Sequence, residues 1–138
     1  MSAAADRVRA YYEDLNCGDA ARVARHFTDD AVHYYTRRDP HVGAQAIADN
    51  AALAVEHLRA VWTCEHLVES DDEVVIEWTM AFDHPRTGER CLDRGAEFLV
   101  FRDGRISEVR AYYHGGVPAN LSGDLVGFDH AARGHSTL

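Results

Sequence analysis

Cysteine, proline and methionine are scarce in this chain, at three, three and two residues. The cysteines, Cys17, Cys64 and Cys91, are odd in number and irregularly spaced, with no Cys-x-x-Cys pair. That excludes a disulfide framework and the usual zinc patterns, and it fits the reduced thiols of a cytoplasmic protein. Basic residues are few: 14 Lys and Arg against 23 Asp and Glu, a formal net charge of −9. Without a basic cluster to offset that charge, nonspecific nucleic-acid binding is excluded. No apolar run approaches membrane-spanning length, and none follows a basic N-terminus, so no membrane partner is expected. The nine histidines form no His-Glu-x-x-His motif and no helical pairing with a carboxylate, so no metal site is expected. Gly-x-Gly-x-x-Gly and phosphate loops are also missing, and the sequence calls for no cofactor. The serines sit at turns and ends, away from any Ser-His-Asp order.

What is present is a chain of 138 residues with 46% hydrophobic content, enough for one domain over 1–138 with a real core. It is organised around residues 72–113, which read as three long antiparallel strands: Glu73 to Asp83, Cys91 to Phe101 and Arg105 to Tyr113. Pro85, Thr87 and Gly88 mark the first turn. Asp103-Gly104 between two apolar runs is a strong hairpin signal for the second. Alternation places Ile76, Trp78, Met80 and Phe82 on one face of the first strand. In the second, Asp93, Gly95, Glu97, Leu99 and Phe101 share a face. In the third, Val109, Ala111 and Tyr113 do.

The N-terminal half supplies the cover such a sheet needs. Residues 3–16 predict a helix with Val8, Tyr11, Tyr12 and Leu15 on its apolar face. Gly18 stops it, and Asp19 caps a second helix reaching about Phe27. Ala31 to Thr36 predicts a short strand, with His33 and Tyr35 on one face and Val32 and Tyr34 on the other. Arg37 to Gly43 reads as a loop, and Ala44 to Leu58 as a third helix burying Ile47, Ala51, Ala54, Val55 and Leu58. Ala60 to Glu69 predicts a further strand. After Tyr113, the stretch His114-Gly115-Gly116-Val117-Pro118 breaks the last strand. The tail holds Leu121, Leu125, Val126 and Phe128, apolar enough to lie across a groove or on a partner; Gly134 to Leu138 are expected to fray. Helices thus segregate on one side of a mainly antiparallel sheet, an α+β architecture.

The run YYEDLNCGDAARVARHFTDDAVHYY, the helix start GAQAI and the terminal hairpin RDGRISEVRAYY resemble the NTF2-like superfamily, in particular its SnoaL-like branch. The resemblance covers about residues 5–115 and leaves 116–138 as a tail. It implies a cone-shaped (cystatin-like) fold, a curved sheet wrapped around three helices with a deep pocket, often dimerised through the outer sheet. Members of this superfamily include ketosteroid isomerases, polyketide cyclases, dehydratases, epoxide hydrolases and non-catalytic binding domains. The steroid isomerases' oxyanion-hole tyrosine falls on Tyr11 and their protonated oxyanion-hole aspartate on Glu97. Their catalytic-base aspartate falls on Tyr35. The epoxide hydrolases' Arg and Asp of the first meander strand fall on Trp78 and Met80. The last-strand aspartate of epoxide hydrolases and polyketide cyclases falls at or near Ala111.

In a cone, the expected inward set is Tyr11, His33, Tyr35, Trp78, Met80, Phe82, Asp93, Glu97, Leu99 and Tyr113, an apolar cavity with a few polar groups. Glu97 interrupts the apolar stretch AEFLVF. Burial there makes it either a neutral acid or a base near neutrality, or else a structural partner of Arg94, Arg110 or a tyrosine. His33 or Glu97 is the expected base, with Tyr11 and Tyr35 donating to an oxyanion; Asp93, Trp78, Met80, Phe82, Leu99 and Tyr113 are the expected substrate contacts. The resulting expectation is a cofactor-independent cyclase, isomerase or dehydratase acting on a hydrophobic carbonyl compound, cytoplasmic and homodimeric. The alternative is a ligand-binding or dimerisation module of the same fold.

Overall fold

In a computed structural model of the chain, residues 2–114 and 123–138 are described. The elements are α1 (Ala3–Leu15), α2 (Ala20–Ala24), β1 (Phe27–Tyr34), β2 (His41–Val42), α3 (Ala44–Leu58), β3 (Val61–Ser70), β4 (Glu73–Asp83), β5 (Arg90–Arg102) and β6 (Arg105–Tyr113). The strands form one sheet in the order β2-β1-β6-β5-β4-β3. All neighbours are antiparallel except β1 and β6, which pair in parallel.

Local chemistry accounts for the boundaries. Ser2 caps α1, its Oγ accepting from the Ala5 amide at 3.0 Å. Asp19 caps α2 in the same way through the Ala21 amide. The β5–β6 turn has positive φ at both Asp103 (53°) and Gly104 (78°), the geometry that a two-residue hairpin needs and that Asp-Gly tolerates.

The second helix is shorter than the sequence suggests. Phe27 is buried and pairs with Ile106 of β6, so the chain is already extended four residues before Ala31, and an irregularity between Phe27 and Val32 absorbs the difference. The expected loop around Pro40 contains the two-residue β2, which pairs back on β1 through Val32 and His33.

One buried acid ties the first turns together. Asp14, on α1, is bonded to His26 Nε2 at 2.7 Å and to Arg25 and Arg22 at 2.8 and 2.9 Å. Arg7 donates to His26 Nδ1, which leaves Nε2 as the protonated nitrogen facing Asp14. Burial pushes the Asp14 pKa up, but the His26 and Arg25 hydrogen bonds outweigh it and hold the carboxyl below its ordinary range.

The core lies between the inner sheet face and the helices. Val8, Tyr11, Tyr12 and Leu15 from α1 and Ile47, Ala48 and Ala51 from α3 meet Ile76, Trp78, Leu99, Ile106 and Val109. On the outer face runs the C-terminal segment. Arg94 Nε donates to Asp124 at 2.6 Å and its Nη2 to the Ser136 carbonyl at 2.8 Å. Ser136 bonds Glu65 through its amide and its hydroxyl. The end of the chain is therefore tied to β3 and β5 rather than frayed. Leu125 and Val126 are exposed, whereas Phe128 packs on His130 and His135. The expected strand break at Gly115, Gly116, Val117 and Pro118, and Leu121, lie outside the described residues.

Candidate active site

The inner face of the sheet and helices α1 and α3 enclose a cavity of about 490 Å³, within the size range of small-molecule sites. Strand register explains its floor. Glu97 on β5 sits opposite Ile76 on β4 and Ala111 on β6. In the parallel β1–β6 register, His33 pairs with Val109 and Tyr34 with Arg110, so Tyr35 comes level with Ala111. The small Ala111 side chain leaves open space between Glu97 and Tyr35. One inward step along β5, Gly95 opposes Trp78. A Cβ at Gly95 would lie 2.5 Å from the indole, so the glycine is what lets the indole lie flat across the floor.

Of the ten residues expected inside, Tyr11, His33, Tyr35, Trp78, Met80, Phe82, Asp93, Glu97 and Tyr113 line this cavity. Leu99 does not. It points inward as expected but is fully buried, packed beneath the cavity in the core, so it is not a substrate contact.

Glu97 is 3% exposed, and its partner is a tyrosine: Tyr12 Oη donates to Oε1 at 2.7 Å. The two arginines considered as partners lie elsewhere. Arg94 holds the C-terminal segment, and Arg110 pairs with Glu73 and Glu108. Burial raises the Glu97 pKa to about 7, against a smaller lowering by the Tyr12 hydrogen bond. A carboxyl so placed exists in both protonation states at neutrality.

His33 is driven the other way, to about 3, chiefly by burial, with a backbone hydrogen bond at Tyr34 opposing it. A neutral imidazole with so acidic a conjugate acid is a poor proton acceptor. The structure thus disfavours His33 as the base and leaves it as a hydrogen-bonding group. Its Nδ1 is buried without a hydrogen-bond partner among the described residues, as is Nε1 of Trp78. His33 stacks on Tyr35 with ring centroids 4.2 Å apart. Tyr35 Oη shares a 3.0 Å hydrogen bond with His41 Nδ1, and its pKa is raised by burial. Tyr11 is wedged edge-on against Tyr12 and Phe27, and burial raises its pKa as well.

Sequence reasoning missed Tyr12, Arg38 and Asn50, all on the cavity wall. Asn50 carried a signal, a polar side chain at helical spacing from Ile47 and Ala54 on an otherwise apolar stripe. Tyr12 carried none that separates it from Tyr11. Arg38 sits in a loop, its guanidinium 4.6 Å over the Tyr35 ring.

A SnoaL-like domain profile matches residues 8–109. No curated protein matches significantly. Among solved structures, a protein of unknown function with a cystatin-like fold from Methylobium petroleophilum PM1 is 33% identical, with a TM-score of 0.72 over 99% of this chain and 92% of that one. A candidate polyketide cyclase from Xanthomonas campestris pv. campestris is 23% identical, with a TM-score of 0.71 over 81% and 90% of the two chains. A protein with a ketosteroid isomerase-like fold from Catenulispora acidiphila, in complex with trimethylamine, is 17% identical, with a TM-score of 0.72 over 83% and 95%. The Methylobium protein shares the cystatin-like fold, and by the profile over residues 8–109 this chain belongs to the SnoaL-like domain family.

Proposed function

We propose that this protein is a cofactor-independent acid–base enzyme of the cyclase, isomerase or dehydratase kind, acting on a hydrophobic carbonyl compound. The observation that carries the proposal is Glu97, a carboxyl brought to a pKa of about 7 by burial in a mainly apolar cavity. Near that pH its carboxylate can take a proton from the carbon next to a carbonyl, and the resulting acid can return it at another atom. Tyr12 holds the carboxyl in place. Tyr35, across the space above Ala111, and Tyr11 are the candidate donors to the enolate oxygen. The cavity walls from Met80, Phe82 and Tyr113 would exclude water from that charge, with Trp78 as the floor and Asp93 as a polar contact.

The test is exchange of α-protons into deuterated water, followed by NMR on a panel of enolisable aryl ketones. The wild type should accelerate exchange, and Glu97→Gln, which keeps shape and hydrogen bonding, should lose about 10²–10⁴-fold. Equal exchange by both proteins would sink the assignment.

One observation favours a second reading, a binding module without chemistry: Tyr35 and Ala111 stand where the resemblance places aspartates. A ligand that co-purifies and is released unchanged, with no exchange on any ketone, would support it. Both readings take the chain as one domain forming a cytoplasmic homodimer. The exposed Tyr112 and Val68 on the outer sheet face would supply apolar contact, and sedimentation velocity tests the dimer.

A further inference from the structure

The two-residue strand β2 adds little to the sheet, but it fixes one side chain against the site. By pairing on β1 it sets His41 opposite His33. The Nδ1 of His41 then lies 3.0 Å from Tyr35 Oη, with the two rings perpendicular and their centroids 5.3 Å apart. Tyr35 is on the cavity wall, whereas His41, half-buried, stands behind it and touches the phenol.

A phenol has one proton to give, and an imidazole nitrogen either donates or accepts. While His41 Nδ1 accepts, the Tyr35 proton is committed to it and none is left for a ligand oxygen. When Nδ1 carries a proton, the bond reverses. Asn50, also on the wall, is the other partner. Arg38 Nη2 donates to its Oδ1 at 3.5 Å, which leaves the amide nitrogen for Tyr35. Burial is the main influence on the Tyr35 pKa and raises it, while the Asn50 hydrogen bond lowers it, as a donor to the phenol oxygen does. With Asn50 and His41 both donating, the lone pairs of Oη are filled. Its proton then has one partner left, an oxygen in the cavity.

Resting on the reading of Tyr35 as a donor to the substrate's oxygen, we propose that His41 is a positioning residue: the proton on its Nδ1 decides whether Tyr35 donates to the imidazole or to the ligand's carbonyl or enolate oxygen. A neutral His41 switches by taking a proton from water at Nδ1 and returning one from Nε2, with no net uptake. The cationic imidazole carries both protons and turns Tyr35 to the ligand outright. Around His41, β1 provides Tyr35 and His33, the loop before β2 provides Arg38, and α3 provides the neutral Asn50 through Tyr35. Burial, and then Arg38, lower the His41 pKa, so the ring is neutral at neutral pH and becomes charged in acidic solution. His33, with a pKa of about 3, titrates in still more acidic solution.

Calorimetric titration of Glu97→Gln, which removes the cavity carboxyl that titrates near neutrality, tests the proposal. The probes are 2-acetylnaphthalene and 2-ethylnaphthalene, neutral molecules of similar shape of which only the first has an oxygen. As pH falls from neutrality through the His41 range, the preference for the ketone should rise by about threefold to tenfold. Ketone binding should also take up protons there, and binding of the ethyl compound should not. In the same background His41→Gln, whose amide can donate to Tyr35 at every pH, should keep the ketone preference and lose its pH dependence. Tyr35→Phe should lose that dependence too. A ketone preference independent of pH, or a pH dependence that survives either variant, would overturn the role of His41 and leave Tyr35 as a donor. Ketone and ethyl compound binding alike at every pH would overturn both. Because Glu97 is replaced throughout, the acid–base reading is judged separately, by deuterium exchange.

Discussion

Tyr12 Oη donates a 2.7 Å hydrogen bond to Oε1 of Glu97, joining the first helix to the fifth strand inside the cavity. The bond favours the carboxylate, and burial opposes it more strongly. The balance between the two is what brings Glu97 near neutrality.

Tyr12→Phe removes the opposing influence without changing burial much. The Glu97 pKa should then rise above about 7, and the acidic limb of the pH–exchange profile should move to higher pH. Loss of one donor to a buried carboxyl should also cost roughly 1–3 kcal/mol of stability. A purely structural role for Tyr12 would lower stability and leave the limb in place. A limb that stays put or moves to lower pH sinks the coupling.

Glu97 also makes stability depend on pH. Its pKa is raised from 4.5 to about 7 in the folded state. Between those values the folded protein holds a proton that the unfolded chain gives up, so unfolding becomes easier as pH rises. The favourable contribution is complete below about 4.5 and lost by about 7, a change of roughly 3 kcal/mol. Urea unfolding of the wild type and Glu97→Gln in pH steps should show their difference falling across this window. Asp14, whose pKa is lowered, works in the opposite sense in more acidic solution and cancels in the comparison. A difference that stays flat from pH 4.5 to 7 would contradict the buried, titrating carboxyl.

The inner face of the meander was legible because its period is two and one face is apolar. Trp78, Glu97 and Tyr113 could be placed from alternation alone, and Asp103-Gly104 pins the register by demanding positive φ. What was illegible is non-local or a matter of small angles. Tyr11 and Tyr12 differ by one step around the same helix, and only the position of β5 decides which hydroxyl reaches Glu97. The parallel pairing of β1 with β6 joins segments some eighty residues apart, so nothing near Phe27 signals that the helix must end there. Arg94 and Asp124 find each other across 30 residues, again with no local signal, and so the tail looked free.

Gly95 should not tolerate a side chain. A Cβ there meets the Trp78 ring at 2.5 and 2.8 Å and the Tyr112 carbonyl oxygen at 2.8 Å. The carbonyl belongs to the β5–β6 ladder and cannot retreat, so the indole must. Gly95→Ala should cost about 1–3 kcal/mol, change the near-ultraviolet circular dichroism of tryptophan and weaken binding of the aryl ketones. Unchanged dichroism would mean that the indole does not rest on this glycine.

Asp124→Ala probes how the C-terminal segment is held. Arg94 is 8% exposed, and the substitution strips its carboxylate partner while leaving the Ser136 carbonyl. A buried, half-satisfied guanidinium is unfavourable, but the chain has an escape. The segment can detach and let water reach Arg94, so the cost of the substitution cannot exceed that of undocking residues 123–138. The core of α1, α3 and the inner sheet face does not depend on that segment. Both Asp124→Ala and deletion of 123–138 should therefore retain a cooperative thermal transition, with midpoints close to each other. Asp124→Ala should in addition lose protection of the segment against proteolysis. A deletion that abolishes cooperative unfolding would show instead that the segment is part of the core's stability.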